Sequence, residues 1–343
     1  MASTKEKKKL SWWAKTLFIL GMVVLFLGVV LLGAIGYFRL FVHSYYSASE
    51  KAFEIPDLNA GFIPQGMHYD ERQDGFFITG YSNTEEASPV YIVKDESVKS
   101  VRLLKEDGSA YTGHCGGIAV FNDYVYIAGG SGNCLYIYSY SEIINAEEGA
   151  GVVCKGKFSL KTSNNDYLGA SFVTVYGNKM VVGELYRAQN YPTLPSHKIT
   201  TSAGDYNQAI ALEFSLSADA QFGIEPTPTS AYSLPDQVQG MCFAEGKIYL
   251  STSYGVAFSH ILEYTESALS NEGQISLLGT ELPLFSLDSA SLSKDYKIAP
   301  MSEEIVMLDG ELYVMCESAS DKYIFGKFTG AQWCYKTDLS QMQ

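Results

Sequence analysis

The sequence is poor in charge, poor in histidine, and without any compact catalytic signature. Charged residues make up only 18% of the chain and histidines number 5. No G-x-S-x-G, H-E-x-x-H, P-loop or dinucleotide fingerprint occurs, so the enzyme classes built on those motifs are set aside. There is no C-x-x-C pair and no Cys/His zinc spacing, which removes the common zinc modules and dithiol redox sites. Basic residues are outnumbered, 24 against 38 acidic ones. No basic stripe tracks along the chain, so no nucleic-acid partner is expected.

What is plentiful points to strands. Glycine (31) and tyrosine (25) are abundant in a chain of 343 residues, a mix that suits short strands joined by tight turns. The length accommodates one large all-β domain or two ordinary ones.

The N-terminus is a separate object. Lys5, Lys7, Lys8, Lys9 and Lys15 precede an uncharged run from Thr16 to Phe38. As a helix rising about 1.5 Å per residue, the run spans roughly 34 Å, enough to cross a hydrocarbon core of about 30 Å. Trp12, Trp13, Tyr37 and Tyr45 flank it where interfacial aromatics sit, and the lysines mark the cytoplasmic side. The expected organisation is a cytoplasmic basic tail (1–15), a transmembrane signal-anchor (16–38), a stalk with a possible closing strand (39–60), and an extracytoplasmic domain (61–343). A cleaved signal peptide is the rival reading, because Ala34-Ile35-Gly36 resembles a small-residue cleavage site. The run is longer than a signal-peptide core of about 7–15 residues, and no lipobox-type cysteine follows it. Small residues at Gly21, Gly28, Gly33, Ala34 and Gly36 would also permit close packing against another membrane helix.

Beyond residue 40 the chain holds 18 basic and 37 acidic residues, a net charge of −19. Such a surface favours solubility, cation binding, or a neutral or cationic ligand. All six cysteines (Cys115, Cys134, Cys154, Cys242, Cys316 and Cys334) lie in this part. Disulfides are permitted there, with Cys134–Cys154 the favoured pair; the alternative is buried free thiols acting as small hydrophobes.

A repeat organises this part of the chain. Pro64-Gln65-Gly66-Met67 returns as Val238-Gln239-Gly240-Met241, and looser versions occur at Cys115-Gly116-Gly117-Ile118, Gly169-Ala170-Ser171-Phe172 and Ser302-Glu303-Glu304-Ile305. Each leads into a short apolar strand, a turn, a tyrosine-bearing second strand, a loop and a third strand. In the fifth unit these places hold Ile305 to Leu308, Asp309-Gly310, Glu311 to Cys316, Glu317 to Asp321, and Lys322 to Phe328. Units begin near residues 61, 113, 167, 237 and 300, and the third carries an insertion from Gln189 to Tyr206. Repeated meanders of this kind close into a ring and so remove their exposed edges. The spacing predicts an all-β, five-bladed β-propeller, or six blades should residues 265–299 hide another unit. A solenoid is the alternative, but hairpin turns such as Asp309-Gly310 favour antiparallel meanders. Phe53 to Leu58 or Gln332 to Lys336 would supply the last outer strand.

In such a ring the loops entering first strands and leaving second strands share one face. Gln65, Gly116, Ala170, Gln239 and Glu303 then stand at one level around the axis, with His114 one step earlier. Second-strand exits add Tyr81, Ser131, Glu184, Tyr186, Tyr254 and Glu317. The candidate ligand-binding set is therefore Gln65, Tyr81, His114, Glu184, Tyr186, Gln239, Tyr254, Glu303 and Glu317. His114 and Glu303 are the candidates for acid–base work. Glu184, Glu303 and Glu317 are the candidate ligands for a cation such as Ca²⁺, which takes oxygen donors. The tyrosines offer flat amphipathic surface for a sugar or a protein. Each residue also has a structural reading, since buried polar groups must find partners.

The unit openings resemble those of gluconolactonase and strictosidine-synthase-like propellers, in which a Pro-Glu-Gly phrase places a metal-binding glutamate in the channel. Here Pro64-Gln65-Gly66 and Val238-Gln239-Gly240 carry an amide instead, and Glu303 supplies one carboxylate at the same level. The layout also resembles bacterial surface propellers held by a single membrane anchor. Two functions follow as expectations. One is a membrane-anchored module binding a protein, glycan or small ligand at the channel mouth. The other is a metal-assisted hydrolase or lactonase using the channel carboxylates.

Overall fold

The computed structural model describes residues 11–129 and 132–342. The tail lysines Lys5, Lys7, Lys8 and Lys9 and the loop residue Ser131 lie outside the described residues.

Five sheets surround one axis, each beginning with the strand that follows a repeated phrase. Blade 1 runs outward through Phe62–Asp70, Gly75–Ser82, Pro89–Lys94 and Ser97–Leu104, and Gly151–Val153 joins its edge in parallel. Blade 2 is Ile118–Phe121, Tyr124–Ala128, Cys134–Ser139 and Gly156–Ser159. Blade 3 is Phe172–Tyr176, Lys179–Gly183, Ala209–Leu216 and Ile224–Leu234. Blade 4 is Val238–Ala244, Lys247–Thr252, Ser259–Thr265 and Leu292–Ile298. Blade 5 is Ser302–Leu308, Glu311–Cys316, Trp333–Thr337 and, outermost, Ser49–Glu54. The innermost strands neighbour one another in order, and the first also meets the fifth, so the array is a closed ring and not a solenoid.

Local chemistry makes the meanders. Glu245-Gly246 and Asp309-Gly310 each place two consecutive residues at positive φ (52° and 72°; 52° and 80°). That is the type I′ geometry whose twist matches the strands it joins. Apolar side chains of successive blades then face each other, as Tyr126, Leu135 and Ile137 do with Val173, Met180 and Leu212.

The five-blade expectation holds, and two other expectations are corrected. Residues 265–299 hold no sixth blade. Ser270–Leu277 and Thr280–Ser286 form a hairpin added in parallel to the outer strand of blade 3, and Leu292–Ile298 completes blade 4. Lys322 to Phe328 is not a strand: the segment is a loop ending in a 3-10 turn at Ile324–Phe328, and Trp333–Thr337 takes the third place in blade 5. The Cys134–Cys154 pairing is not formed, because all six cysteines are buried free thiols. Burial pushes the Cys115 thiol up to about 12, as befits an inert core residue.

The ring is fastened from both ends of the chain. Ser49–Glu54 pairs antiparallel with Trp333–Thr337, with Phe53 opposite Cys334. Phe53 is buried against Phe76 of blade 1, their rings 5.0 Å apart. Burying such a side chain contributes about 2 kcal/mol to closure.

Before this strand stands a helix, Trp12–Leu40, with a mean hydropathy of 2.9 in its most apolar window and its sides exposed along most of its length. Ser11 caps it by accepting a hydrogen bond from the Ala14 N–H at 3.3 Å. It is long and apolar enough to be a candidate membrane span. Its last turn docks on the propeller, where Phe38 is buried and Tyr37 lies 5.4 Å from Phe258, ring to ring. Val42 and Tyr45 are also buried, so the connection to the first strand is packed down.

Candidate functional site

The repeated phrase has a geometric meaning. In blade 1, Pro64 faces Gly80 and Gly66 faces Thr79, which leaves Gln65 as an extra residue. In blade 4, Val238 faces Thr252 and Gly240 faces Ser251, leaving Gln239. In blade 5, Glu303 and Glu304 fall within a similar register shift between Ser302 and Ile305. Such bulges re-aim a side chain and recur beside functional sites. The glycine that follows lets neighbouring blades meet at the axis. A Cβ on Gly66 would stand 2.6 Å from the Ile118 nitrogen, and one on Gly240 would stand 2.8 Å from Glu304 Cα.

Gln65, Gln239 and Glu303 look into a cavity of about 850 Å³ at the channel mouth. Gln65, Tyr81, His114 and Glu184 line it, together with Gln239, Tyr254, Glu303 and Glu317. Tyr186 does not, which corrects its place among the candidates. The second strand of blade 3 ends at Gly183, so strand alternation lapses and Tyr186 turns into the core with Phe172, Val238 and Leu250.

Carboxyl chemistry is concentrated on one side. Glu317 Oε2 accepts from Gln65 Nε2 at 2.9 Å, and its Oε1 accepts from the Tyr323 hydroxyl at 2.7 Å. Among the described residues Glu303 has only Gln239 Nε2, at 3.4 Å. Burial, then the charges of Glu317 and Glu304, hold the Glu303 carboxyl well above the usual range. Burial also raises Glu317, but Tyr323, Lys322 and Gln65 oppose the shift. Glu303 therefore keeps the proton of the pair, and Glu317 is the better-served carboxylate. The cavity thus holds two carboxyls raised by burial, of which Glu303 is the more strongly raised.

Aromatic rings wall the same cavity. The His114 ring stacks on Tyr81 with centroids 4.3 Å apart. His114 keeps solvent exposure at the mouth, and desolvation by the surrounding wall, followed by the Lys322 ammonium, lowers its pKa. Lys322 donates to the Tyr81 hydroxyl. The Arg187 guanidinium lies 3.4 Å from the Tyr254 ring centroid, and Asn190 Nδ2 donates to the Tyr254 hydroxyl at 3.0 Å.

Glu184 borders the cavity but is a strut. Its Oε1 accepts from the Gly169 N–H at 3.1 Å, and its Oε2 accepts from the Ile210 N–H at 3.2 Å. The same Oε2 lies 2.8 Å from His197 Nδ1 in a fully buried pair. With Glu184 so engaged, Glu303 and Glu317 are left as a pair. Among the described residues no three His, Cys, Asp or Glu side chains gather as a metal site would need. Of the three carboxyls expected to serve Ca²⁺, Glu184 is held by protein donors, which leaves Glu303 and Glu317 as the carboxyl donors in the cavity.

Several lining residues were not anticipated. Lys322 and Tyr323 come from the blade 5 segment read as a strand, while Asn190 and Tyr191 come from the Gln189–Tyr206 insertion. That insertion leaves a second strand, so its place in the chain already directed it to this face. Nothing in the local sequence distinguished Lys322 from the other surface lysines.

No family model matches the sequence, and no curated protein does. Among solved structures the fold is similar to the glutaminyl cyclase of Myxococcus xanthus, at 12% identity over 84% of this chain and 94% of that one, with a TM-score of 0.38. It is similar to the PQQ-bound aldose sugar dehydrogenase of Streptomyces coelicolor, at 11% identity over 84% and 96%, with a TM-score of 0.42. A third is the GH43_1 enzyme of Xanthomonas citri complexed with xylotriose, at 11% identity over 86% and 91%, with a TM-score of 0.43. Each is a distant similarity of fold alone.

Proposed function

We propose that this chain is a membrane-anchored, extracytoplasmic propeller that binds a small hydroxyl-rich ligand of the saccharide class at the channel mouth. The observation that supports it is the convergence of Gln65, Gln239 and Glu303, all in bulged segments, on one tyrosine-walled cavity of about 850 Å³. That volume falls among small-molecule sites of about 300–1,000 Å³, and its concavity disfavours a folded protein as occupant. Amides and carboxyls can donate and accept to hydroxyls, while the Tyr254 ring face turned away from Arg187 is left for a sugar ring. The Glu303–Glu317 pair supports a second reading, acid–base cleavage of the bound sugar without a metal.

The test is titration of soluble mono- and oligosaccharides into the full-length protein held in phosphatidylcholine nanodiscs. A saturable sugar isotherm that weakens at least tenfold in Tyr254→Ala, with an unchanged melting temperature, is the expected result. Equal binding by Tyr254→Ala and Glu303→Gln would remove the site. Appearance of cleaved product that Glu317→Gln abolishes would move the assignment from binding to hydrolysis.

A further inference from the structure

A second hollow adjoins the polar cavity. It measures about 270 Å³ and shares Met301, Lys322 and Tyr323 with the cavity. Its other walls include Phe38 from the long helix and Val256, Ile324 and Phe325 from two loops of the same face. These loop side chains are out in solvent: Ile324 is 79% exposed, and Val256 and Phe325 are each 61% exposed. Clustered apolar exposure of this kind marks a docking surface.

The long helix indicates what covers that surface. The candidate span ends at Leu40, so Phe38 stands at the level where a spanning helix leaves the hydrocarbon. Val256, Ile324 and Phe325 share a hollow with Phe38 and so stand at that same level. The propeller cannot swing away, because Val42 and Tyr45 are buried and the first strand begins at Ser49. Cations and aromatic rings border the junction, as suits a headgroup layer. Arg39 lies 4.5 Å from the Tyr46 ring centroid, and Lys297 lies 4.1 Å from that of Phe258. From this placement we infer that the channel mouth faces the bilayer and takes its ligand from it: the neutral glycosyl headgroup of a membrane lipid, its first acyl carbons resting in the hollow behind Ile324 and Phe325.

The headgroup class follows from charge and shape. An uncharged sugar can use the donors and acceptors of the cavity, whereas a phosphate would meet the Glu303–Glu317 carboxyl pair, with the neighbouring Lys322 ammonium already engaged by the Tyr81 hydroxyl. The hollow opens directly off the cavity through Tyr323 and Lys322, so one amphiphile can occupy both. The inference rests on the saccharide-binding reading for its ligand class. Its membrane geometry stands apart from that reading.

The experiment therefore has two arms, both on the full-length chain in nanodiscs. In the first, Phe325→Trp and Glu71→Trp are compared in nanodiscs whose lipids carry brominated acyl chains, with the fluorescence of the parent tryptophans subtracted. Glu71 is an exposed turn residue at the opposite end of the blade 1 hairpin from Tyr81. Quenching of the Phe325→Trp signal by at least twofold, with Glu71→Trp unaffected, is expected. Equal quenching at both sites overturns the docking geometry, whatever the sugar titrations show. In the second arm, lipid retained on the protein is read by native mass spectrometry from nanodiscs holding equal glucosyl diacylglycerol, phosphatidylglycerol and phosphatidylcholine. Preferential retention of the glucosyl lipid is expected, lost in Tyr254→Ala and in the double variant Ile324→Glu, Phe325→Glu. That double variant should still bind soluble sugar, which separates delivery from recognition. Retention of phosphatidylglycerol at the same level overturns the headgroup class. Failure of the soluble-sugar titration together with intact Phe325→Trp quenching would sink the saccharide reading and leave the membrane geometry standing.

Discussion

Gln65 and Glu317, 252 residues apart in the chain, are joined by a 2.9 Å hydrogen bond from the amide Nε2 to the carboxylate Oε2. The bond ties the bulge of blade 1 to the second-strand exit of blade 5, across the seam where the ring closes. The same Nε2 also donates to the Pro64 carbonyl at 2.7 Å. An amide is required at this position because both of its neighbours are acceptors.

Gln65→Glu replaces that donor with a third cavity carboxyl. The new group would be buried beside Glu317, and its folded-state pKa should lie above the unfolded value of about 4.3. A raised carboxyl pKa leaves stability greatest below the unfolded pKa and erodes it as pH rises toward the folded one. The variant should lose about 2 kcal/mol at pH 8 and recover part of this at pH 5. Urea denaturation at the two pH values checks it; a loss independent of pH would show that the amide serves packing alone.

Glu303→Gln should act in the opposite direction. Glu303 is held above the normal carboxylate range by burial and by Glu317 and Glu304, so it weakens the fold progressively above its unfolded pKa. The neutral isostere removes that term. The variant is expected to match the parent near pH 4 and exceed it by about 1–2 kcal/mol near pH 8. Melting temperatures across this window would decide it, and a variant less stable than the parent at pH 8 would place a bound charge partner on Glu303.

Glu184→Ala separates a strut from a ligand. Its removal strands the Gly169 and Ile210 N–H groups and the His197 ring together in a buried setting. A cost of about 3–5 kcal/mol is expected, visible as a lower denaturation midpoint. Calcium and EDTA should leave the melting temperature of the parent unchanged, since a bound ion would stabilise by mass action. A parent that melts higher with calcium would return Glu184 to the ligand set.

The parts legible in the sequence were those governed by local rules. Turn pairs such as Asp309-Gly310 and period-two alternation placed all five innermost strands, and alignment of the phrases gathered Gln65, His114, Gln239 and Glu303 at one mouth. The parts missed depend on distant pairing. Nothing in Ala231 or Leu284 announces that they sit opposite each other in a parallel extension of blade 3. Nothing in Glu184 and His197, 13 residues apart, announces a buried pair, because the intervening insertion brings them together. The bulges were hidden for a related reason. A single extra residue reads locally as continued alternation, and only the partner strand shows that Gln65 and Gln239 stand outside the ladder.

Those bulges work only with the glycines that follow them. At Gly240 the neighbouring blade comes so near that a Cβ would lie 2.8 Å from Glu304 Cα and press on its carboxyl group as well. The Glu304 carboxyl accepts from the Met241 N–H at 3.1 Å and fixes blade 5 against blade 4. Its other oxygen, Oε2, is buried with no hydrogen-bond partner among the described residues. Gly240→Ala must therefore displace backbone, at a cost of about 1–3 kcal/mol typical of overpacking. Gly246→Ala is the control: it sits at φ 72° with open space around it, so it reports backbone strain alone. Both variants should lower the urea midpoint without changing the slope. Only Gly240→Ala should also weaken sugar binding, because it shifts Gln239 and Glu303 in the cavity wall. Equal binding by the two variants would mean that the close approach at the axis supports the ring and leaves the site untouched.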